Sequence, residues 1–128
     1  MFQRRSSAAL TIALVDDDVS VRESLLNLLA EFGYTVSAFP SAEEFLASDC
    51  LGRTGCLILD IALPAMSGPD LQQELLRRKQ QIPIIYITAL DNEKLHAQVI
   101  GDGAVDCLVK PFSETALIDA LQRAGAQP

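Results

Sequence analysis

Short apolar runs alternate with longer amphipathic segments along the chain, and this pattern predicts strands and helices in turn. The apolar runs predict strands at 10–15, 34–39, 56–60, 83–88 and 104–109. The segments after them place apolar residues at helical spacing and predict helices at 20–32, 41–48, 69–79, 91–101 and 113–125. Strict alternation of strands and helices predicts an α/β domain with a parallel sheet covered on both faces. With right-handed crossovers this is a doubly wound (βα)5 three-layer sandwich.

Local signals place the helix ends. Ser20 with Glu23, and Ser41 with Glu44, have the spacing of a capping box and predict where the first two helices begin. Gly101 is predicted to close the fourth helix.

Bulk composition limits the classes of function. The chain has 128 residues, enough for one domain with one core, and a net charge of −7. This charge gives no electrostatic reason to bind nucleic acid or an anionic membrane. No run of 18 apolar residues predicts a transmembrane helix, and 1–10 is interpreted as a ragged N-terminus, not a signal peptide. The three cysteines match no metal motif. We interpret them as the thiols of a cytoplasmic protein, with Cys56 and Cys107 buried.

Ionisable and hydroxyl side chains stand at four of the five predicted strand ends. Asp16 and Asp17 follow the first strand, Asp60 ends the third, Thr88 ends the fourth, and Lys110 follows the fifth. In sheets of this kind, ligands bind beyond the carboxyl ends of the strands. We therefore expect these side chains to share one edge of the sheet.

Three neighbouring carboxylates need a positive partner. Two like charges about 4 Å apart repel by roughly 4 kcal/mol at an effective dielectric of about 20. Oxygen ligands favour Mg²⁺, with Mn²⁺ possible, although Lys110 pairing with the acids is a purely structural alternative. A metal, a lysine and a hydroxyl together suit a phosphoryl group. A carboxylate can itself be the nucleophile, and Asp60 is the candidate.

Four motifs occur in an order and at a spacing that resemble the receiver domain of two-component response regulators. They are LVDDD, LILDIALPAMSG, IIYITA and VKPF, and the resemblance covers about residues 11–124. It implies a flavodoxin-like sheet of order 2-1-3-4-5. It also implies that the chain is a signalling domain that catalyses only its own phosphorylation and dephosphorylation.

The resemblance implies a role for each site residue. Asp60 would accept a phosphoryl group from a sensor histidine kinase. Asp17 would bind Mg²⁺ directly, Asp16 would assist through water, and the backbone carbonyl of Ala62 would be a further ligand.

The remaining family positions lie on the last two strands. Thr88 and Lys110 would contact the phosphoryl group, with Ala89 leaving space beside it. The bond between Lys110 and Pro111 is often cis in this family and is predicted to be cis here.

A finer resemblance concerns residues 33–47, which look like receivers of the nitrogen-fixation regulator type. Those receivers usually precede a LuxR-type DNA-binding domain. We expect residues 1–128 to be a single receiver domain without an output domain. The expected partners are a sensor histidine kinase and an output domain or protein target, with a phosphorylation-dependent dimer possible.

Three positions depart from the family pattern. Cys107 stands where many receivers have an aromatic residue that moves with the threonine. Signalling would then pass through Thr88 and the loop after it, or the readout would be weak. Tyr86 is placed in a different alternation phase, so we do not expect it to substitute. Ala62 and Leu90 are apolar and cannot orient water, which predicts slow self-dephosphorylation.

Three other functional interpretations of the same residues have less support. A dehalogenase-like phosphatase needs a second acid where Ala62 stands. A nucleotide- or flavin-binding module would have a glycine-rich loop after the first strand, and residues 16–23 contain no glycine. A degenerate receiver is disfavoured by the intact acids.

Two polar residues are assigned ordinary structural roles. Asp18 is expected to stabilise the start of the first helix, where a carboxylate meets the positive end of the dipole. His96, the single histidine, is expected on a helix surface.

Overall fold

The computed structural model describes residues 11–128, so the predicted N-terminal segment 1–10 lies outside the described residues. The strands are β1 (Thr11–Val15), β2 (Val36–Phe39), β3 (Thr54–Asp60), β4 (Ile84–Thr88) and β5 (Asp106–Val109). The α-helices are α1 (Val19–Glu31), α2 (Ala42–Ala47), α3 (Gly68–Arg77), α4 (Glu93–Gly101) and α5 (Glu114–Arg123). A short 3₁₀ turn, Leu51–Arg53, precedes β3. Within 11–128, no helix has the length and apolar character needed to cross a bilayer.

The strands form one parallel sheet in the order β2-β1-β3-β4-β5, which confirms the predicted topology. The chain builds outward from β1 to β2, then returns to place β3 on the other side of β1. This reversal opens a crevice at the carboxyl ends of β1 and β3, the place where ligands bind in doubly wound sheets.

Two hydrophobic layers cover the sheet, because alternate residues of each strand point to opposite faces. On β3, Leu57 and Leu59 pack with residues of α2, α3 and α4. Cys56 and Ile58 point the other way and pack with residues of α1 and α5. All four side chains are fully buried. The central strand is therefore apolar on both faces, as its sequence indicated.

Helix α1 begins two residues earlier than its predicted capping box. The N-cap is Asp18, whose carboxylate accepts hydrogen bonds from the amides of Ser20 (2.8 Å) and Val21 (3.4 Å). The capping box of Ser20 with Glu23 is therefore wrong, because Asp18 already satisfies the first amides and Ser20 lies inside the helix. The structural role expected of Asp18 is confirmed. Ser41 does cap α2, accepting from the Glu44 amide at 3.1 Å.

Helix α4 ends at Gly101, as predicted, but a later glycine takes the left-handed conformation that often follows a helix. Gly101 is the last helical residue, but the left-handed conformation occurs at Gly103, with φ of 112°. The amide of Ala104 then donates to the carbonyl of Val99 at 3.0 Å. Because this amide bonds to the preceding helix, it does not join the sheet, and β5 begins later than predicted. Tyr34 bonds to α1 in the same way, so β2 is shortened too.

Candidate functional site

Three carboxylates converge at the crevice between β1 and β3. Val15 pairs with Leu59 in the sheet, so the residues after them, Asp16 and Asp60, emerge side by side. One oxygen each from Asp16, Asp17 and Asp60 lies within 4.8 Å of the others. Asp16 and Asp60 are buried, and Asp17 is exposed. This all-oxygen donor set, open to solvent on one side, fits a hard divalent cation such as Mg²⁺.

Lys110 reaches the same cluster from β5. Its Nζ lies 2.9 Å from Asp16 Oδ2 and 3.7 Å from Asp60 Oδ2. Burial lowers the pKa of Lys110, but the hydrogen bond and the charge of Asp16 outweigh burial, and the net direction is upward. The lysine is therefore a cation held against the acids. The peptide bond between Lys110 and Pro111 is cis, as predicted.

Asp60 is the acid that burial perturbs most clearly. Burial raises its pKa, and the charge of Asp16 raises it further. The charge of Lys110 and the Ala62 amide, which donates to Asp60 Oδ1 at 3.2 Å, act in the opposite direction. The net result is a raised pKa. The ionised carboxylate is therefore disfavoured until a further positive charge arrives, which is the electrostatic setting of a cation site.

Every polar atom of Asp16 takes part in a hydrogen bond. Its carboxylate accepts from the Asp18 amide at 2.9 Å as well as from Lys110. Its own amide donates to the carbonyl of Phe39 at 3.2 Å. Its carbonyl accepts from Arg22 Nη1 at 2.7 Å. Arg22 was not among the predicted site residues, although its position one turn into α1 allows a long side chain to reach back to the strand end.

Thr88 ends β4 with a fully buried side chain. Its Oγ1 accepts a hydrogen bond from the amide of Leu90 at 3.0 Å. The hydroxyl proton is thus available for a second partner, since a hydroxyl both donates and accepts. Ala89 and Leu90 are exposed in the loop after it. Thr88 therefore connects the strand end to the loop that leads into α4.

The loop after Asp60 folds back tightly against it. The amide of Gly68 donates to the carbonyl of Ile61 at 3.0 Å. A Cβ added to Gly68 would lie 2.6 Å from the Asp60 carbonyl oxygen and 2.8 Å from the Tyr86 ring. Only a glycine lets α3 begin this close to the acid. Gly68 carries no local sequence signal for this close approach, which depends on the packing of α3 against the end of β3 and against Tyr86.

Tyr86 and Cys107 lie on the same face of the sheet, so the statement that they differ in phase is wrong. They are register partners in β4 and β5, and both pack in the layer under α2, α3 and α4. The register between the strands, which the sequence did not reveal, decides this. The Tyr86 hydroxyl donates to Gln72 Oε1 at 2.7 Å, and Gln72 Nε2 donates to the Asp102 carbonyl at 3.0 Å.

The cysteines are free thiols with different burial. Cys56 is fully buried, whereas Cys107 and Cys50 are partly exposed, so the predicted burial of Cys107 is only partial. Burial, with a smaller effect of Asp106, raises the pKa of Cys107 to about 11. The thiol at the usual aromatic position is therefore protonated at neutral pH.

His96 lies on α4 and is partly exposed. Its Nε2 is 3.0 Å from the carbonyl of Leu90. Of the residues in 11–128, the acids Asp16, Asp17 and Asp60 form the group placed to bind a metal, and His96 is not part of it.

Comparison with known proteins gives a consistent result. The sequence profile of the response regulator receiver domain matches residues 12–122. Nodulation protein W of Bradyrhizobium diazoefficiens is 43% identical over 116 residues, covering 91% of this chain and 51% of that protein. Transcriptional regulatory protein FixJ of Rhizobium meliloti is 40% identical over 114 residues, covering 89% of this chain and 56% of that protein. The chain thus spans about half the length of these relatives.

Solved structures agree with the sequence comparison. The response regulator StyR superposes with a TM-score of 0.83 at 41% identity, covering 91% of this chain and 59% of that one. The crystal structure of FixJ-N superposes with a TM-score of 0.81 at 38% identity, covering 90% of this chain and 92% of that one. The resemblance drawn from the motifs is therefore confirmed. Sequence and fold lead to the same assignment: this chain belongs to the response regulator receiver domain family, the phospho-accepting modules of two-component signal transduction.

Proposed function

We propose that Asp60 accepts a phosphoryl group from a sensor histidine kinase in the presence of Mg²⁺, and that the modified domain then changes how it contacts its output. One observation supports the proposal most directly. One oxygen from each of Asp16, Asp17 and Asp60 lies within 4.8 Å of the other two, and Lys110 Nζ lies beside Asp16 and Asp60. A purely structural ion pair needs one acid. The surplus negative charge is useful when a cation and a phosphoryl group are to bind.

The residues that would hold the metal follow from the donor set. Asp17 and Asp60 would be direct ligands, Asp16 would act through water, and the backbone carbonyl of Ala62 would complete the protein ligands. When bound, Mg²⁺, or Mn²⁺ in its place, would neutralise charge on the acids and on the incoming phosphoryl oxygens.

The chemistry at Asp60 is a nucleophilic displacement. A carboxylate oxygen forms a bond to phosphorus, the bond between phosphorus and the kinase histidine nitrogen breaks, and the electron pair leaves with that nitrogen. Lys110 would neutralise a phosphoryl oxygen, and the free hydroxyl proton of Thr88 would donate to another. Both groups are charged or oriented before the donor arrives, so little reorganisation is needed.

Thr88 is the proposed start of the signal, because the residue at the usual aromatic position is Cys107. A phosphoryl oxygen that attracts the Thr88 hydroxyl would disturb its bond with the Leu90 amide and so change the loop before α4. The changed loop would then be recognised by an output domain, of LuxR type by analogy with nitrogen-fixation regulators, or by a separate protein. Relatives that carry the name transcriptional regulatory protein include TdiR of Thauera aromatica and FixJ. A dimer formed on phosphorylation belongs to the same proposal.

Two further features complete the proposal. The cytoplasm is the proposed compartment, since free thiols persist in reducing surroundings. Slow loss of the phosphoryl group is proposed because Ala62 and Leu90 at the rim of the site carry no group that orients water.

Phosphorylation by a small-molecule donor tests the central claim. The chain would be incubated with acetyl phosphate and Mg²⁺, and its intact mass would be measured for wild type, Asp60→Asn and Asp70→Asn. We expect one phosphoryl group on wild type and on Asp70→Asn, and none on Asp60→Asn or after chelation of the metal. Asp70 lies in the first turn of α3, where its carboxylate accepts from the amide of the N-cap Ser67 at 3.1 Å. The proposal would be overturned if Asp60→Asn gained as much phosphate as wild type. It would also be overturned if wild type gained none while another receiver domain, treated with the same donor as a positive control, was phosphorylated. Mass measured over time after donor removal gives the rate of dephosphorylation.

A further inference from the structure

The side chain of Arg22 contacts the main chain at the acidic cluster. It lies in the first turns of α1, is partly buried, and its Nη1 donates to the backbone carbonyl of Asp16 at 2.7 Å. Within residues 11–128, the ion pairs closer than 4.0 Å do not include Arg22. Its guanidinium is therefore directed to a main-chain atom at the acidic cluster and not to a surface carboxylate.

The contact matters because of what comes next in the chain. Asp16 is immobilised through its amide, its carboxylate and its carbonyl. The carboxylate of Asp17, by contrast, makes no hydrogen bond or ion pair with the part of the protein that the structure describes. Within residues 11–128, Asp17 is thus the acid of the cluster whose oxygens have no partner and can take a ligand. The peptide unit between Asp16 and Asp17, whose oxygen Arg22 holds, determines where that carboxylate points.

We propose that Arg22 is a positioning residue for the cation site, acting on Asp17 through the carbonyl of Asp16. This inference rests on the proposed function, since it requires a divalent cation at the three acids. Arg22 does not touch the cation. It restricts the rotation of the peptide unit that carries Asp17, so that less conformational freedom is lost when the metal binds. Groups that orient metal ligands in this way typically change metal affinity by about 10–100-fold when they are removed.

The sign of the effect separates positioning from simple electrostatics. A guanidinium near the acids repels an arriving cation, so removing its charge alone would tighten Mg²⁺ binding. Loss of positioning acts the other way and weakens binding. A role confined to stability would lower the midpoint of unfolding without changing the affinity of the folded protein for Mg²⁺.

Calorimetric titration with Mg²⁺ decides between these possibilities. The proteins would be wild type, Arg22→Ala, Arg22→Gln, Arg22→Lys and Arg53→Ala. Arg53 pairs with Asp49 on the surface before β3, so its variant loses one positive charge away from the site. We expect Kd for Mg²⁺ to rise about tenfold in Arg22→Ala, partly recover in Arg22→Lys, and stay at the wild-type value in Arg53→Ala. The NMR signals of the Asp17 and Asp18 amides in metal-free Arg22→Ala should shift or broaden.

The titration can contradict the positioning role of Arg22 without contradicting the proposed function. An unchanged or lower Kd in both Arg22→Ala and Arg22→Gln would overturn the positioning role, while wild-type binding and Asp60 phosphorylation would stand. Absence of Mg²⁺ binding by wild type would overturn the proposed function and this inference together. If Arg22→Ala does not fold, Arg22→Gln and Arg22→Lys carry the test.

Discussion

Lys110 and Asp16, which lie 94 positions apart in the chain, meet at 2.9 Å between Nζ and Oδ2. The Asp16 side chain is fully buried, and the Lys110 side chain is 23% exposed. Removing the lysine therefore leaves a buried carboxylate without its cation. Because the pair can be reached by solvent from the lysine side, the loss should be smaller than for a fully buried pair.

We expect Lys110→Met to lower the free energy of unfolding by about 2 kcal/mol at neutral pH without divalent metal. Urea denaturation checks this. The matched double variant Lys110→Met with Asp16→Asn should regain most of the loss, because it removes the unpaired charge. An equal loss in the double variant would contradict the explanation.

The raised pKa of Asp60 predicts a specific dependence of stability on pH. The unfolded chain releases this proton near its ordinary pKa of 3.8, whereas the folded chain holds it to higher pH. The native state therefore binds more protons in this window, and the contribution of Asp60 to stability falls as pH rises from 3.8 through the raised pKa. Above that pKa the contribution is constant.

Asp60→Asn removes this dependence. We expect the variant to gain stability relative to wild type as pH rises through the window, measured by urea denaturation with a chelator present. Adding Mg²⁺ at neutral pH should stabilise wild type more than the variant, because the cation relieves the repulsion that the variant lacks. A difference between the two proteins that stays level across the window would show that Asp60 titrates normally.

The hydroxyl of Tyr86 donates a hydrogen bond to Oε1 of the buried Gln72 side chain. Tyr86→Phe leaves Gln72 Oε1 without its donor, and we expect a loss of about 1–2 kcal/mol. Thermal or urea unfolding measures it. Tyr34→Phe is the matched control, since Tyr34 is also buried but its hydroxyl has no partner among residues 11–128. Similar losses in both variants would assign the effect to ring packing and not to the hydrogen bond.

The close approach of Gly68 to Asp60 should not tolerate a side chain. A Cβ there would meet the Asp60 carbonyl oxygen at 2.6 Å, so Gly68→Ala should cost about 1–3 kcal/mol through forced backbone shifts. It should also slow the proposed phosphorylation, because the displaced backbone carries Asp60, the proposed acceptor. Gly101→Ala in the last turn of α4, where a Cβ meets nothing within 4 Å, should be neutral or slightly stabilising. Comparable losses in both variants would refute the steric argument.

The first helix offers a direct test of its cap. Asp18→Ala removes the acceptor for two amides and should cost about 1 kcal/mol. Ser20→Ala should have little effect on the free energy of unfolding, since Ser20 is a helical residue here. If Ser20→Ala were the more damaging change, the capping box expected from the sequence would be operating in solution.

Much of the architecture could be predicted because the relevant signals are local. The run 56–59 is apolar at successive positions, which is typical of a strand covered on both faces in a small α/β domain. The convergence of Asp16, Asp17 and Asp60 could also be predicted, because parallel strands place all their carboxyl ends at one edge. A cation site and a nucleophilic role for Asp60 followed from the chemistry of the acids, and the separate roles of Asp16 and Asp17 from the family resemblance. The phosphorylation and Mg²⁺ experiments test them.

The sequence did not show which of two neighbouring residues would cap or end a helix. Asp18 and Ser20 are both good caps, and only the path of the chain leaving β1 determines that Asp18 takes the amides. Gly101 and Gly103 are both plausible helix stops, and the bond from Ala104 to Val99 selects Gly103. In each case two residues of suitable type lie close together in the sequence, and packing decides between them.

The sequence by itself determined the order of strands and helices, the two-sided burial of the sheet and the set of polar groups at its edge, since all of these follow from periodicity. Only the tertiary structure decided which side chains meet across elements. The pairing of Tyr86 with Cys107 depends on the register of β4 against β5, and the reach of Arg22 to Asp16 depends on the angle at which α1 leaves β1. Register and angle are set by packing between segments distant in sequence, so no local pattern encodes them.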